Sequence, residues 1–409
     1  MIDCGQRDPG GRNSPAGITH SSFLFLFPFF FTLDLLILGA SARAAAFSAR
    51  RAQLQPRGID LFADADLTSL CAARQIAPED YPNRLAELAL ESPPGPWIYT
   101  GALENDPDLI DRIATRRPLW GNTGTVLRAV RDPFAWSAAL RRAGLPCPAV
   151  QSNAEGLPRD SSWLVKPIAS AGGMRIQRLT QKTNRPAWPC FYQERIRGLN
   201  LSAMFIGRAA EVHLAGVTRQ LLGYPGADFA YVGSVGPWPV TAAEETRIET
   251  LGALLAKTFG LRGLFGVDFI LADGHPWPVE INPRYTASVE VLELALGASL
   301  LSAHRSVFDP AAPAIVPAPT PRPRRAVGKL ILFAPGQCHF PPTSRHRPAA
   351  KDVFAIPALG DRPQPGVRFE PGEPIATLIE HADHVEACLA RLERRRARWE
   401  RRLLTKALL

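Results

Sequence analysis

The sequence predicts an α/β chain that opens on a doubly wound parallel sheet and passes into a second region of α+β character. Two observations carry this expectation. An apolar strand pattern at residues 33–38 (LDLLIL) runs through the small-residue turn Gly39-Ala40-Ser41-Ala42 into a helical pattern at 43–51, the order that opens many nucleotide-binding domains. Strand patterns at 58–67, 97–105 and 118–124 then alternate with helical stretches, as a parallel sheet requires. A helix at 134–148, stopped by Gly144 and two prolines, delivers the chain to the second region.

Composition frames these elements. With 409 residues, 46% of them hydrophobic, the chain is long enough for two or three domains with real cores. The net charge of +9 comes largely from arginine and fits acidic small-molecule substrates, a nucleic acid, or base composition alone. Six cysteines lie scattered without a Cys-x-x-Cys pair, which argues against a zinc site or a disulfide framework and fits a reducing cytoplasm. The run FLFLFPFFF at 23–31 has a weakly basic preceding segment, and Pro28 and Asp34 interrupt it as a spanning helix of roughly 20 residues. Residues 1–31 are therefore expected to lie outside the fold, as an extension, a leader, an anchor or a mis-assigned start, and membrane association through residues 23–38 stays open.

The second region carries the chemistry. At 163–177 an apolar strand ends in Lys166 and is followed by a small loop with Ser170, Ala171, Gly172 and Gly173, then a second strand beginning near Met174. Residues without bulk let backbone N–H groups approach phosphate oxygens, although an ordinary hairpin reads the same way, and no Walker A motif is present. The stretch FYQERIRG at 191–198 embeds Gln193 and Glu194 in an aromatic strand. Two strands and a helix at 244–259 lead to a hairpin that places Asp268 in one strand and Glu280 with Asn282 in its partner. In WPVEINPR (277–284), alternate positions share a face, so Glu280, Asn282 and Arg284 point one way while Ile281 turns into the core. A strand ending in a polar Asn-Pro turn is the plainer alternative. Such oxygen ligands suit Mg²⁺, which commonly takes one or two carboxylates together with phosphates and water.

Lys-Pro with a glycine loop, the Gln-Glu strand, then Asp and Glu-x-Asn-Pro-Arg, in this order and spacing, resemble the ATP-grasp superfamily over about residues 33–390. Within it, LGASARAAAFSARRA and DLFADADL look most like the predicted ATP-dependent carboligases related to biotin carboxylase and to tyramine-glutamate ligase. The resemblance implies a pre-ATP-grasp domain at 32–130, an ATP-grasp domain at 131–309, a Pro/Ala-rich linker at 310–325, and a small β-rich unit with a terminal basic helix at 326–409. It also implies roles. Lys166 contacts the α/β-phosphates, Ser170, Ala171, Gly172 and Gly173 close over the β/γ-phosphates, and Gln193, Glu194 and Ile196 hold adenine and ribose. Asp268, Glu280 and Asn282 ligate Mg²⁺, or Mn²⁺ in its place, and Arg284 stabilises an acyl-phosphate or its breakdown. The implied reaction is carboxylate–amine ligation: the γ-phosphoryl of ATP moves to a carboxylate and an amine displaces phosphate. Two alternatives stay open, a carboxylase-like enzyme using bicarbonate, with no Met-Lys-Met carrier motif in this chain, and a degenerate nucleotide binder.

One departure from the superfamily bears on that last alternative. Pro133 stands where many members have a basic residue, leaving Arg128 or Arg131 to substitute. Arg219 and Gln220 are candidates to reach an acceptor site, with a solvated strand end as the open alternative. Small-molecule acid and amine substrates are the expected partners; nucleic acid and membrane are not, and a homodimer is left open. The basic run at 391–404 is read as a solvated terminal helix.

Overall fold

The structure, a computed structural model, describes residues 33–208, 211–315, 325–341 and 352–407. The expectations for residues 1–31, and for most of the linker at 310–325, fall outside the described residues.

Four strands make the first sheet. They are β1 (Asp34–Leu38), β2 (Gln55–Asp60), β3 (Ala72–Gln75) and β4 (Trp97–Tyr99), in the order β3-β2-β1-β4, and all pair in parallel. Helix α1 (Arg43–Arg51) follows β1 directly, α2 (Ala65–Leu70) and α3 (Leu85–Glu91) complete the crossovers, and α4 (Pro107–Ala114) follows β4. Buried Leu35, Ile37 and Leu54 pack toward α1, whereas Leu36, Leu38 and Trp97 pack toward α3 and α4. Both faces of the sheet are thus covered, as parallel strands require.

Residues 118–124, read as the fourth strand, form no strand. Trp97 donates to Pro118 O and Trp120 donates to Trp97 O, and after the single bridge to Leu119 the segment turns away. The place is taken on the opposite edge by β3, whose polar Ala-Ala-Arg-Gln lies mostly exposed and carries no strand pattern.

Two helices, α5 (Gly124–Arg131) and α6 (Pro133–Arg142), lead out of this domain. Asp132 caps α6 by accepting from the N–H groups of Phe134 and Ala135, and Pro133 occupies the first turn, where its missing donor costs nothing. A small antiparallel sheet follows, built from β5 (Val150–Gln151), β6 (Asp160–Pro167), β7 (Gln177–Thr180) and β8 (Cys190–Glu194) in the order β5-β8-β6-β7. The strand after the glycine loop begins at Gln177, not near Met174, because residues 172–175 are spent in the turn.

The larger sheet has eight strands. β9 (Leu199–Arg208), β10 (Glu211–Tyr224) and β11 (Ala227–Gly236) precede α7 (Ala242–Phe259), and β12 (Gly263–Ala272) and β13 (His275–Asn282) follow it. The chain continues through α8 (Ala287–Leu296) and α9 (Leu300–Phe308) to β14 (Ala326–Phe333). After the short pair β15 (Cys338–His339) and β17 (Arg368–Phe369), with β16 (Leu359–Gly360) between them, come β18 (Pro374–Ala382) and α10 (Val385–Ala407). The sheet order is β13-β12-β9-β10-β11-β14-β18-β16. The carboxyl-terminal strands therefore extend the central sheet and do not form a unit apart from it: Val327–Leu330 of β14 satisfy the backbone groups of Gly233–Gly236 that would otherwise make an open edge.

Helix α1 is fixed to the second region by charge as well as by packing. Arg43 is 1% exposed and pairs with Glu290 of α8 and with Asp361 (2.9 Å), while Lys329 of β14 reaches Glu290 at 3.2 Å. Arg51 pairs with buried Glu293 at 2.9 Å. Such pairs hold one docking geometry, since separating either partner would leave a buried charge uncompensated. Among the described residues no single helix is long and apolar enough to cross a membrane.

Candidate active site

A cavity of about 620 Å³ opens between the small sheet and the large one. Lys166, Gly172, Gly173, Gln193, Glu194, Ile196, Asp268, Glu280, Asn282 and Arg284 all line it. Residues up to 118 positions apart in sequence are brought together by three strand pairings. On the small sheet, β6 and β8 run side by side with Leu164 opposite Gln193 and Lys166 opposite Phe191. On the large sheet, Asp268 lies opposite Glu280 and Gly266 opposite Asn282, and Asp268 also lies opposite Ser202 of β9. A register shift between Asp268 and Phe269 takes up one extra residue of β13 and keeps the two carboxylates facing each other.

Asp268 sits at the centre. It accepts from Asn282 Nδ2 at 3.1 Å and from the side chains of Ser202 and Gln220. Burial and the facing Glu280 carboxylate nevertheless push its carboxyl above the usual range, more than the hydrogen bonds and Arg284 pull it down. Ile281 is 2% exposed and points into the core, so the alternation expected along 280–284 is present. Arg284 lies beyond the strand end, yet a tight turn closed by its N–H to Asn282 O (2.8 Å) keeps it on the same side.

Lys166 bridges the two sheets. Its ammonium donates to Gln193 Oε1 (3.1 Å) and to Val279 O of β13 (3.0 Å). Burial holds it below the ordinary lysine range, with Arg131 adding to the effect against the attraction of Glu280 and Asp268. Glu194 accepts from Ala149 N at 3.1 Å, which fixes the strand end that leads to Ile196. The glycine loop lies down on β11: Gly172 O accepts from Tyr231 N at 2.9 Å. Gly173 has φ +71°, and a Cβ there would stand 2.0 Å from Phe229 O, so no other residue fits this approach. Ala171 closes the loop through its carbonyl to Met174 N, and Ser170 lines a smaller recess beside Lys166 and Glu280.

Of the two arginines near Pro133, Arg131 lies beside the site. Its guanidinium reaches Glu280 Oε1 at 3.1 Å and the carbonyls of Ile168 and Ser170, each at 3.1 Å. Arg128 instead pairs with Asp108 and Asp111 on the surface. Of the acceptor-site candidates, Gln220 lines the cavity, while Arg219 faces the other side of β10 and lies 5.4 Å from the Trp238 ring centroid.

Two residues had no sequence signal. Glu104, 1% exposed, belongs to a single 3-10 turn, Leu103–Asn105, after β4, and pairs with Arg284 at 2.5 Å. Burial alone would raise its carboxyl, but Arg284 overcomes this and holds it below the carboxylate range. Asn105, next to it, touches Arg131 and Ser170.

If Lys166 supplies a point charge to a polyphosphate, Lys166→Ala is expected to weaken ATP binding about tenfold or more while leaving the fold intact. Calorimetric titration checks this, and an unchanged affinity would remove the phosphate role.

The family profile for the ATP-grasp domain matches residues 130–288, the stretch that contains every cavity residue named in the sequence reading. The chain is 27% identical over 221 residues to "Uncharacterized protein MJ0776" of Methanocaldococcus jannaschii, an alignment covering 53% of this chain and 50% of that one, so it spans about half of that relative's length. Among solved structures, it resembles an L-amino acid ligase from Bacillus licheniformis with a TM-score of 0.66 at 16% identity, covering 89% of this chain and 96% of the other. It resembles the biotin carboxylase domain of Hydrogenobacter thermophilus 2-oxoglutarate carboxylase, solved with MgADP, ADP and bicarbonate, with a TM-score of 0.65 at 15% identity, covering 87% and 88%. Sheet order, cavity and profile agree that residues 130–288 form an ATP-grasp domain.

Proposed function

We propose that the protein is an ATP-dependent carboxylate–amine ligase that acts on small, amino-acid-like substrates. The observation that carries this reading is the meeting of Asp268, Glu280, Asn282 and Arg284 with Lys166 and the glycine loop around one cavity. Lys166 and the loop amides bind the phosphates, and Gln193, Glu194 and Ile196 line the slot for adenine and ribose. The residues present fit Mg²⁺: two facing carboxylates and one amide form an all-oxygen donor set, and a divalent cation would offset the desolvation and the facing Glu280 charge that together raise Asp268. Asp268, Glu280 and Asn282 would hold it, and when bound it supplies charge neutralisation for the transferring phosphoryl group.

The chain's own groups then do three things. Arg131 and Lys166 offset phosphate charge from the glycine-loop side, while Arg284 places a guanidinium where negative charge is shared between phosphoryl and substrate carboxylate. Packing of the glycine loop against β11 fixes its backbone beside the cavity, where its amides face the transferring group.

The reading favours cleavage of ATP to ADP and phosphate. The test is a screen of purified protein against paired acids and amines, with nucleotide products separated by chromatography. ADP release that requires both an acid and an amine is the expected result. AMP among the products would exclude the acyl-phosphate route, and ADP release driven by bicarbonate alone would favour the carboxylase alternative.

A further inference from the structure

The 3-10 turn Leu103–Asn105 belongs to the first domain, outside the span matched by the ATP-grasp profile, yet it touches the site at two places. Ala102, which leads into it, has φ +78°, a conformation costly for a residue with a Cβ. From this turn Asn105 makes a two-way contact: Oδ1 accepts from Arg131 Nη2 at 2.6 Å, and Nδ2 donates to Ser170 O at 3.3 Å. Arg131 itself donates to Ser170 O and Ile168 O, and its other nitrogen holds Glu280. One amide therefore ties the glycine loop, the arginine beside it and one carboxylate of the facing pair into a single connected network. Arg131 is only 14% exposed at its side chain, so its bonds to Asn105, Ser170 and Glu280 are partly shielded, and they involve a charged donor, the stronger class.

We propose that Asn105 is a positioning residue through which the first domain latches the glycine loop and Arg131 over the nucleotide phosphates. It needs no contact with nucleotide to do so. Both hydrogen-bonding roles of its side chain are used, acceptor toward Arg131 and donor toward Ser170, and Arg131 can only donate, which fixes the orientation of the amide. Without it, Arg131 loses one of its four acceptors and Ser170 O keeps one donor instead of two. The loop then opens more often without any change in the core.

The functional half of this inference rests on the cavity being a nucleotide site; the latch itself does not, so two separate measurements are used on the full chain. Arg175 is exposed within the loop and is a trypsin site, and its cleavage in the absence of nucleotide reports loop opening. For Asn105→Ala, cleavage after Arg175 is expected to accelerate about tenfold, with the urea midpoint unchanged. Asn105→Asp keeps the acceptor for Arg131 and loses the donor to Ser170, so it should fall between wild type and Asn105→Ala. ATP affinity by calorimetry should drop in the same order. Equal cleavage in wild type and Asn105→Ala overturns the latch. If wild type binds no ATP, the nucleotide reading falls, while ordered cleavage rates still uphold the latch. Should Asn105→Ala fail to fold, Asn105→Ser, too short to reach either partner, carries the same comparison.

Discussion

Glu280→Gln is expected to reduce Mg²⁺-dependent turnover by at least about 100-fold, the scale on which one misplaced electrostatic group at a reacting centre is felt. Asp268 and Glu280 are held opposite each other across the β12–β13 hairpin, and Asp268 is half-buried and raised by desolvation and by its neighbour's charge. An amide at 280 keeps the shape but removes that charge, and its neutral oxygen binds a hard divalent cation less strongly than the carboxylate it replaces. Asp268 would also be left as the one carboxylate in the donor set. A second consequence follows from Arg131, which would lose the anion it reaches at 3.1 Å and with it part of the hold on the glycine loop. Turnover measured over a range of Mg²⁺ separates the two effects: loss of the metal ligand shifts the Mg²⁺ dependence, while loosening of the loop shifts the ATP dependence. Full activity at ordinary Mg²⁺ would count decisively against the metal assignment.

How much of this was legible depended on whether a residue's role was written in a local period. Glu280, Asn282 and Arg284 were readable because strand alternation fixes their common side once Ile281 is assigned to the core. Lys166 and Gln193 were readable as the polar ends of apolar strands, and Arg43–Arg51 as a helix following a small-residue turn. Glu104 and Asn105 were not. They sit in a one-turn 3-10 segment with no periodicity, and their partners lie 180 and 26 residues away. The strand β3 escaped for the opposite reason, since an exposed edge strand has no buried face to impose apolar alternation. Residues 118–124 misled because Leu119 and Trp120 are apolar and bounded by turn residues, yet Asn122 is drawn out of line: its amide donates to Arg262 O and Pro283 O. The carboxyl-terminal strands were recognised, but a strand pattern does not name its neighbour, and pairing with β11 is a tertiary decision.

Arg284→Lys is expected to lower turnover about 100-fold while changing ATP affinity by no more than about threefold, a split that marks an interaction made chiefly in the transition state. The guanidinium is committed to three acceptors at once, Glu104 Oε1, Asn282 Oδ1 at 3.1 Å and Tyr285 O at 3.2 Å, and so presents a fixed plane to the cavity. An ammonium retains the charge that keeps Glu104 paired but concentrates its donors at one point, and it cannot span these acceptors together. Arg284→Ala is the less informative variant. It would strand the buried Glu104 carboxylate, at a cost of about 3 kcal/mol or more, and confound catalysis with stability. Lysine avoids most of that penalty, and a urea midpoint near that of wild type would verify it. Turnover and calorimetric ATP affinity are then measured on the same preparation. A lysine enzyme with normal turnover would remove Arg284 from the chemistry and leave it a structural partner of Glu104, whereas a loss of ATP affinity matching the loss of turnover would place it among the phosphate-binding groups, not beside the reacting carboxylate.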